Sequence, residues 1–550
     1  MVSDIAVQVT AGLMPPAASS AASRIGHGRT GNGHSGAGTP ASSAPESGIA
    51  GFLRRYWPFF LLVLLALVLR SPEYGDPDVS LDEEFYLVVA DRMMHGALPF
   101  VDIWDRKPIG LFLIYAMTRL LGGEGFVQYQ VVAALFAGAT AGVIWAIARR
   151  ATANFGAICA ALSYLLWLNL FSGSAGQSPV FYNLFVAIAA WLAFRANDSD
   201  DWRRALRLGM GAMALCGIAL QVKYTAVAEG ALLGLWFLWR IWRGGGGLRG
   251  VILAGFVFAL LGLAPTLLVS AYYVAIGQWH AFAYANFLSV FDRARMPERF
   301  LRRAGEFFLL VTVPLSICLP FAMARRWQLR LSGTGRQDFI LMAGWLAAAT
   351  FGFGMIGNFY DHYILPLMVP LFVCVAAILS RTPIGMTVAA LLIGWPIAIT
   401  GYPDFSYNRD KREKIMELTQ ATLPYVRQDR CLFIFDGPAI LYMTTQACVP
   451  TRFVYPDHLS NEVEKHAIGA DTVAEMKRVL DSRPGAIITA EAPVIPVMNK
   501  ANVAQIRTRL MKDYVLVAAV DHPDRIFYVY ALRSLAKGRG MSGPVPYVGY

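Results

Sequence analysis

The stretch from Ser71 to Lys107 gathers the side chains best suited to chemistry. It carries Asp76, Asp78, Asp82, Glu83, Glu84, Asp91, Asp102 and Asp105, and it closes on Arg106 and Lys107 before Pro108. A carboxylate can take the proton of an attacking hydroxyl. A neighbouring cation can neutralise a leaving phosphate without acting as an acid. Leu81, Phe85, Val88, Val89 and Met93 recur at helical spacing, so Leu81–His95 should form an amphipathic helix on the membrane surface. On such a helix Asp82 and Tyr86, four apart, share a face. Glu83 points about 100° away from Asp82, so the two acids compete for one role. Asp82 is the expected base, with Glu83 as its rival; Lys107 is the expected phosphate ligand, with Arg106 second. The plain alternative is a solvated acidic loop with Lys107 as a snorkelling anchor.

Further polar side chains lie near apolar runs. Lys223 and Glu229 sit at or within such runs, where charge is expensive. Lys223 suits a snorkelling role as well as a functional one, and Glu229 suits a paired structural role. Asp361, His362 and Tyr363 form a second polar cluster. Ser172–Asn183 offers Gln177, Ser178 and Asn183 but no carboxylate. His280, beside Trp279 and Tyr284, reads as an interfacial anchor. Arg293, Arg295, Arg299, Arg302 and Arg303 make a basic run suited to anionic headgroups or acceptor phosphates.

The elements that position these groups must be membrane helices. Of 550 residues, 56% are hydrophobic and 15% charged, against roughly 25% charged in soluble domains. Mean hydropathy is +0.47. The net charge of +11 reflects basic residues in short loops, a positive-inside pattern and no nucleic-acid signature. Residues 1–50, rich in Gly, Ser, Ala and Pro, should be disordered and cytoplasmic. A retained anchor follows from Phe52 to Leu69.

Further apolar runs cover Phe126–Ala148, Phe155–Phe171, Val180–Phe194, Leu206–Gln221, Thr225–Ile241, Val251–Ile276, Phe307–Met323, Phe339–Ile356, Tyr363–Leu379 and Ile384–Thr400. Pro108–Leu121 is short for a span and reads as interfacial; Arg149, Arg150 and the later arginines then fall inside. The result is an α-helical polytopic membrane protein of about eleven transmembrane helices, with the N-terminus cytoplasmic. Residues 51–400 form the membrane domain, with a first outer loop at 71–125.

Residues 401–535 read as a small extracytoplasmic α/β domain. Its expected strands are Cys431–Phe435, Arg452–Tyr455, Ala486–Thr489, Tyr514–Val520 and Ile526–Leu532, and its expected helices Asn461–Ser482 and Lys500–Lys512. A flexible tail occupies 536–550. Cys431 and Cys448 are compatible with a bridge or with two buried thiols, and the other four cysteines lie in apolar runs.

The order Asp82-Glu83, Tyr86, a turn at Gly96–Phe100, Asp102 and Asp105-Arg106-Lys107-Pro108 resembles the first outer loop of GT-C superfamily polyprenyl-phosphate-sugar glycosyltransferases. These are of the protein O-mannosyltransferase, lipid A aminoarabinose transferase and rhizobial galacturonosyltransferase type. Ile109 stands where the family motif has a second proline. Asp361-His362-Tyr363 followed by Ile364–Leu367 resembles a later family segment, as does Leu215–Lys223.

The resemblance implies a GT-C-like fold and transfer of a sugar from a polyprenyl-phosphate donor to a periplasmic lipid, glycan or protein hydroxyl. Asp82 would be the base, and a single displacement would invert the anomeric centre. Lys107, Arg106, Tyr86, Asp105, His362, Tyr363 and Gln177 are the expected substrate contacts. No organic cofactor is implied. Some relatives use a divalent metal, and the carboxylate-free second loop puts that in question here. A bacterial inner membrane is the implied location, with membrane lipids around the spans and the C-terminal domain periplasmic. A transporter or flippase of lipid-linked sugars is the alternative, but it would place polar groups at mid-membrane in repeated broken helices.

Overall fold

The computed structural model describes residues 49–294, 305, 333–355, 360–495 and 497–538. The expected span at Phe307–Met323, the arginines 295, 299, 302 and 303, Cys318, the segment 1–48 and the end of the tail lie outside the described residues.

The helical part opens with α1 (Ile49–Leu69), α2 (Leu81–Met94), α3 (Ile109–Arg119), α4 (Phe126–Ala148) and α5 (Asn154–Trp167). It continues with α6 (Ser178–Ala196), α7 (Trp202–Leu220), α8 (Val227–Arg243) and α9 (Gly247–Ala275). Further long helices run over Gly333–Gly354, Leu365–Val375 and Pro383–Thr400. Small residues let these helices approach closely. A Cβ on Gly138 of α4 would stand 2.7 Å from the Val63 backbone of α1. Helix α6 packs on α4 and α7, and α7 on α8 and α9. Helix α9 leaves Leu248, Ile252, Phe256 and Leu268 exposed; that face is suited to lipid and would be costly in water.

By length and composition, five described helical stretches can cross a membrane. Helix α3 has 11 residues, about half of what a span requires. It buries Leu111, Phe112 and Tyr115 and exposes Leu113 and Met117, a two-faced pattern compatible with a segment at an interface.

The C-terminal sheet has four strands: β1 (Leu432–Ile434), β2 (Ala486–Ala490), β3 (Tyr514–Asp521) and β4 (Ile526–Leu532), in the order β1-β2-β4-β3. β1 and β2 are parallel; β4 pairs antiparallel with both β2 and β3. Arg452–Tyr455 is not a strand. Thr451 caps this turn by accepting the Phe453 amide, and the segment lies against the first outer loop, where the Arg452 carbonyl accepts the Trp104 amide at 2.9 Å. The expected helix Asn461–Ser482 is broken, and only Thr472–Asp481 is α-helical. Asn461 and Asp471 each cap a new start, as side chains that compete with helical hydrogen bonding do. An unforeseen polar helix, Phe405–Thr422, leads into the domain from an Asp404 cap. Cys431 and Cys448 form a disulfide.

Helix α2 is not laid on a lipid surface. Its residues from Glu83 through Asp91 are buried, because the C-terminal domain covers it. The Ile440 amide donates to Glu84 at 3.1 Å, Arg92 donates to the Tyr442 and Ala447 carbonyls, and Phe85 stacks near Tyr455.

Candidate active site

Asp82 stands in the first turn of α2, just after its Ser80 cap, which accepts the Glu83 amide. Acids in this turn complement the helix dipole. Lys107 is placed by the turn before it: Asp105 Oδ1 accepts the amides of Arg106 at 2.5 Å and of Lys107 at 3.1 Å. Pro108 then caps α3. Gly110 comes so close to α7 that a Cβ would stand 2.6 Å from the Gln221 oxygen, which locks the loop end against the end of that helix.

The loop from Ser172 to Gln177 is tied down by Arg70, whose guanidinium donates to the Gly173, Ser174 and Ala175 carbonyls at 2.5, 2.7 and 3.0 Å. Gly176 follows, wedged so tightly that a Cβ would meet Tyr115 and Tyr129. Its amide donates to Glu83 at 2.7 Å and its carbonyl accepts the Tyr115 hydroxyl. Gln177 is thereby aimed at Asp82.

Four groups converge on the Asp82 carboxylate, and Tyr86 joins them through Lys107. Lys107 Nζ lies 3.4 Å from Oδ1 and Gln177 Nε2 3.3 Å from Oδ2. The Tyr455 hydroxyl donates to Oδ1 at 3.3 Å, and His362 Nε2 is 3.7 Å from Oδ2. Tyr86 completes the set: Lys107 Nζ donates to its hydroxyl at 2.7 Å and sits 4.7 Å from its ring centre. Burial acts to raise the Asp82 pKa, but Lys107, His362, Gln177 and Lys223 together hold it well below the usual carboxylate range. Burial drives His362 down to about 3, so the ring is neutral at pH 7.

Glu83 takes no part in this cluster. It is buried with one carboxylate oxygen on the Gly176 amide, and burial raises it to about 8, a neutral acid at pH 7. The helix geometry thus turns Glu83 away from the groups around Asp82. Arg106 lines the small cavity but is engaged elsewhere. Its guanidinium grips Glu464 through both nitrogens at 2.9 and 2.5 Å, and Arg293 joins the same carboxylate at 2.7 Å. A fork already engaged bidentately is a poor substitute for Lys107. Asp105 shapes the turn and lines the cavity beside it. Tyr363 offers its ring to Lys223, with Nζ 4.0 Å from the centre. Lys223 is buried and turned inward, and Glu229 accepts the Trp345 indole at 2.6 Å.

Two cavities meet at Asp82. The wider one, about 610 Å³, is walled by Ser80, Ser172, Gln177, Asp361, Tyr455, Asp457 and the segment Pro493–Ile495. The smaller, about 120 Å³, is lined by Arg106, Lys107, Arg293, Asp105 and Glu464. Asp82, Tyr360, His362, Tyr455 and Asp457 border both. Tyr455 and Asp457 escaped the sequence reading because nothing local marks them; only the docking of the C-terminal domain brings them in. His458 fixes that docking, its ring lying 4.7 Å from Trp104 and 5.2 Å from Tyr455.

A divalent ion does not fit this donor set. An ammonium already occupies the Oδ1 side of Asp82, and the remaining neighbours are an amide, a phenol and a neutral imidazole. A second acidic cluster, Asp78, His522 and Asp524, has ligand atoms within 4.8 Å of one another. Its positive charge is supplied by Lys411, whose Nζ lies 3.9 Å from Asp76, 3.9 Å from Asp78 and 3.6 Å from Asp524. This network ties the C-terminal domain to the first outer loop.

Residues 105–269 match the family model described as dolichyl-phosphate-mannose-protein mannosyltransferase, a match that begins at the turn carrying Lys107. No curated protein matches the chain. Among solved structures, the chain resembles apo ArnT from Cupriavidus metallidurans with a TM-score of 0.59 at 15% identity, over 88% of this chain and 98% of that one. The same protein bound to undecaprenyl phosphate gives 0.57 at 15% identity, over 90% and 100%. At that identity the likeness is one of fold.

Proposed function

We propose that the chain is a membrane glycosyltransferase of the GT-C type, transferring a sugar from a polyprenyl-phosphate donor to a hydroxyl of an envelope lipid, glycan or protein; the family match over residues 105–269 and the likeness of fold to ArnT support this reading. The observation that carries this reading is the Asp82–Lys107 pair at the border of a wide cavity and a small cation-lined one. The undecaprenyl phosphate bound by the ArnT structure supports a donor of this lipid class.

The donor phosphate enters the small cavity and takes Lys107. The anomeric carbon then lies beside Asp82, and the acceptor approaches through the wide cavity. Its oxygen bonds to the anomeric carbon as the carbon–oxygen bond to phosphate breaks, and polyprenyl phosphate leaves with the electron pair. The acceptor proton passes to Asp82. This single displacement inverts the anomeric centre.

Before the donor arrives, Lys107 holds Asp82 as a weak base. The phosphate draws Lys107 away and so raises the basicity of Asp82 when a base is needed. Gln177 and Tyr455 keep the carboxylate oriented; His362, neutral, borders both cavities without competing for the phosphate. The protein resides in a bacterial inner membrane, its N-terminus cytoplasmic and its C-terminal domain periplasmic.

The test is release of polyprenyl phosphate, with an inverted glycosidic bond, by the purified protein in detergent given a polyprenyl-phosphate sugar and envelope extract. Movement of the donor across vesicles without transfer would instead support a flippase. For topology, a reporter active only outside the cytoplasm should be active when fused after Leu535 and silent after Arg149. Activity after Arg149 would mean that α3 crosses the membrane.

A further inference from the structure

Asp457 opens a short helical turn, Asp457–Ser460, in the C-terminal domain. It is 9% exposed and borders both cavities. Its Oδ1 is buried with no hydrogen-bond partner. Buried carboxyl oxygens are normally satisfied, and one that is not calls for a cause. Cations are close, yet they are committed elsewhere: Arg106 and Arg293 both grip Glu464. Among the described residues, none forms an ion pair with Asp457. The Asn461 side chain faces the Asp457 carboxylate and opposes the effect of burial on it, while the His458 ring packs on Tyr455.

Asp82 and Asp457 are the only two carboxylates on the shared border of the cavities among the described residues. They differ in character. Asp82, held below the usual range, cannot retain a proton at neutral pH once Lys107 returns to it. Asp457 is raised to about 7, by burial first and then by Glu464 and Asp436, against the opposing pull of Arg293. A group of that strength can both take and release a proton near neutrality.

We propose that Asp457 is the proton exit of the transfer reaction, receiving from Asp82 the proton of the acceptor hydroxyl and releasing it to water in the wide cavity. The inference rests on the glycosyltransferase reading and extends it to the C-terminal domain. In full, the acceptor oxygen forms its bond to the anomeric carbon and polyprenyl phosphate departs with the electron pair of the broken bond. The proton moves to Asp82, then to Asp457, then to solvent. Asp82 is left anionic for the next turnover, and Lys107 returns to it as the product phosphate leaves. The Tyr455 hydroxyl, two residues from Asp457 and already on Asp82 Oδ1, holds the donor carboxylate of this relay in place.

The experiment uses the full chain in detergent, with the polyprenyl-phosphate-sugar fraction of the host membrane as donor and envelope extract as acceptor. Asp457→Ala should lower turnover about tenfold or more, while affinity for undecaprenyl phosphate stays unchanged. Added formate, a small carboxylate, should restore turnover in Asp457→Ala; chloride at equal strength should not. Asp457→Glu should keep most of the activity. Wild-type turnover in Asp457→Ala overturns the proposal, as does a loss that formate leaves untouched. A wild-type protein that releases no polyprenyl phosphate overturns the transfer reading itself and this inference with it. A working wild type beside an indifferent Asp457→Ala overturns the inference alone.

Discussion

Replacing Asp82 with Asn tests the central assignment. The amide keeps the size of the side chain, and its oxygen can still accept from Gln177 or Tyr455, which approach Asp82 at 3.3 Å each. What is lost is the ability to take a proton. General-base catalysis is typically worth about 10²–10⁴-fold in rate, or about 3–5 kcal/mol of barrier at about 1.4 kcal/mol per decade. Transfer should fall on that scale. Donor binding should move the other way. Lys107 Nζ sits 3.4 Å from Asp82 in a mostly buried pair, the side chains 20% and 16% exposed, and the cost of desolvating such a pair offsets most of its attraction, leaving about 1 kcal/mol. Freed of that pair, Lys107 should hold the donor phosphate up to about fivefold more tightly. Glu83→Gln is the control, since Glu83 is neutral at pH 7 and Gln is close in shape to the protonated acid; transfer should change little. The assay is initial-rate transfer by purified variants beside undecaprenyl phosphate binding. A wild-type rate in Asp82→Asn with a dead Glu83→Gln would move the base to Glu83 and refute the geometry drawn here.

Two other outcomes are expected. Lys107→Ala should lose most transfer through weak donor binding, while Lys107→Arg should keep part of it, because charge matters more than shape for a single phosphate oxygen; normal activity and affinity in the alanine variant would remove Lys107 from the site. Reducing or deleting the Cys431–Cys448 bridge, which spans 17 residues of sequence, should destabilise the C-terminal domain by about 3 kcal/mol. Thermal protease resistance of that domain reads the effect, and two thiols that alkylate in denatured but unreduced protein would refute the bridge.

The helical architecture was legible because apolar runs of span length are written into local sequence. Phe126–Ala148 is a helix with the bounds its hydropathy suggested, and Ser178–Ala196 and Pro383–Thr400 differ from theirs by a few residues at most. Asp82, Tyr86 and Lys107 were legible because a helical face and a turn place them. The C-terminal half of the site was not. Tyr455 and Asp457 lie in an irregular turn in which Arg452–Tyr455 has the β-branched and aromatic composition of a strand, yet its backbone pairs with the first outer loop. Such a contact joins positions some 350 residues apart, and no local period encodes it. The membrane-surface reading of Leu81–His95 failed for the same reason. Its apolar stripe is real, but the partner that buries it is the C-terminal domain. Arg106 shows the limit of motif reading: it stands beside Lys107 as the second candidate, and only Glu464, far along the chain, shows where its guanidinium is engaged.

In the proposed reaction the Lys107–Asp82 pair would also set the order of events. In the resting protein the ammonium is shared between Asp82 and Tyr86, and Asp82 is too weak a base to activate a hydroxyl. An acceptor that arrives first finds no effective base. The donor phosphate must enter the small cavity and draw Lys107 toward itself before Asp82 can act. Transfer should therefore follow a compulsory order, donor before acceptor. Undecaprenyl phosphate, which occupies the donor's phosphate site, should compete with the donor and should not compete with the acceptor. Inhibition patterns at several fixed concentrations of each substrate decide this. A non-reactive acceptor analogue should inhibit uncompetitively against the donor; a noncompetitive pattern would mean that the acceptor binds without regard to Lys107 and that the ion pair does not set the order.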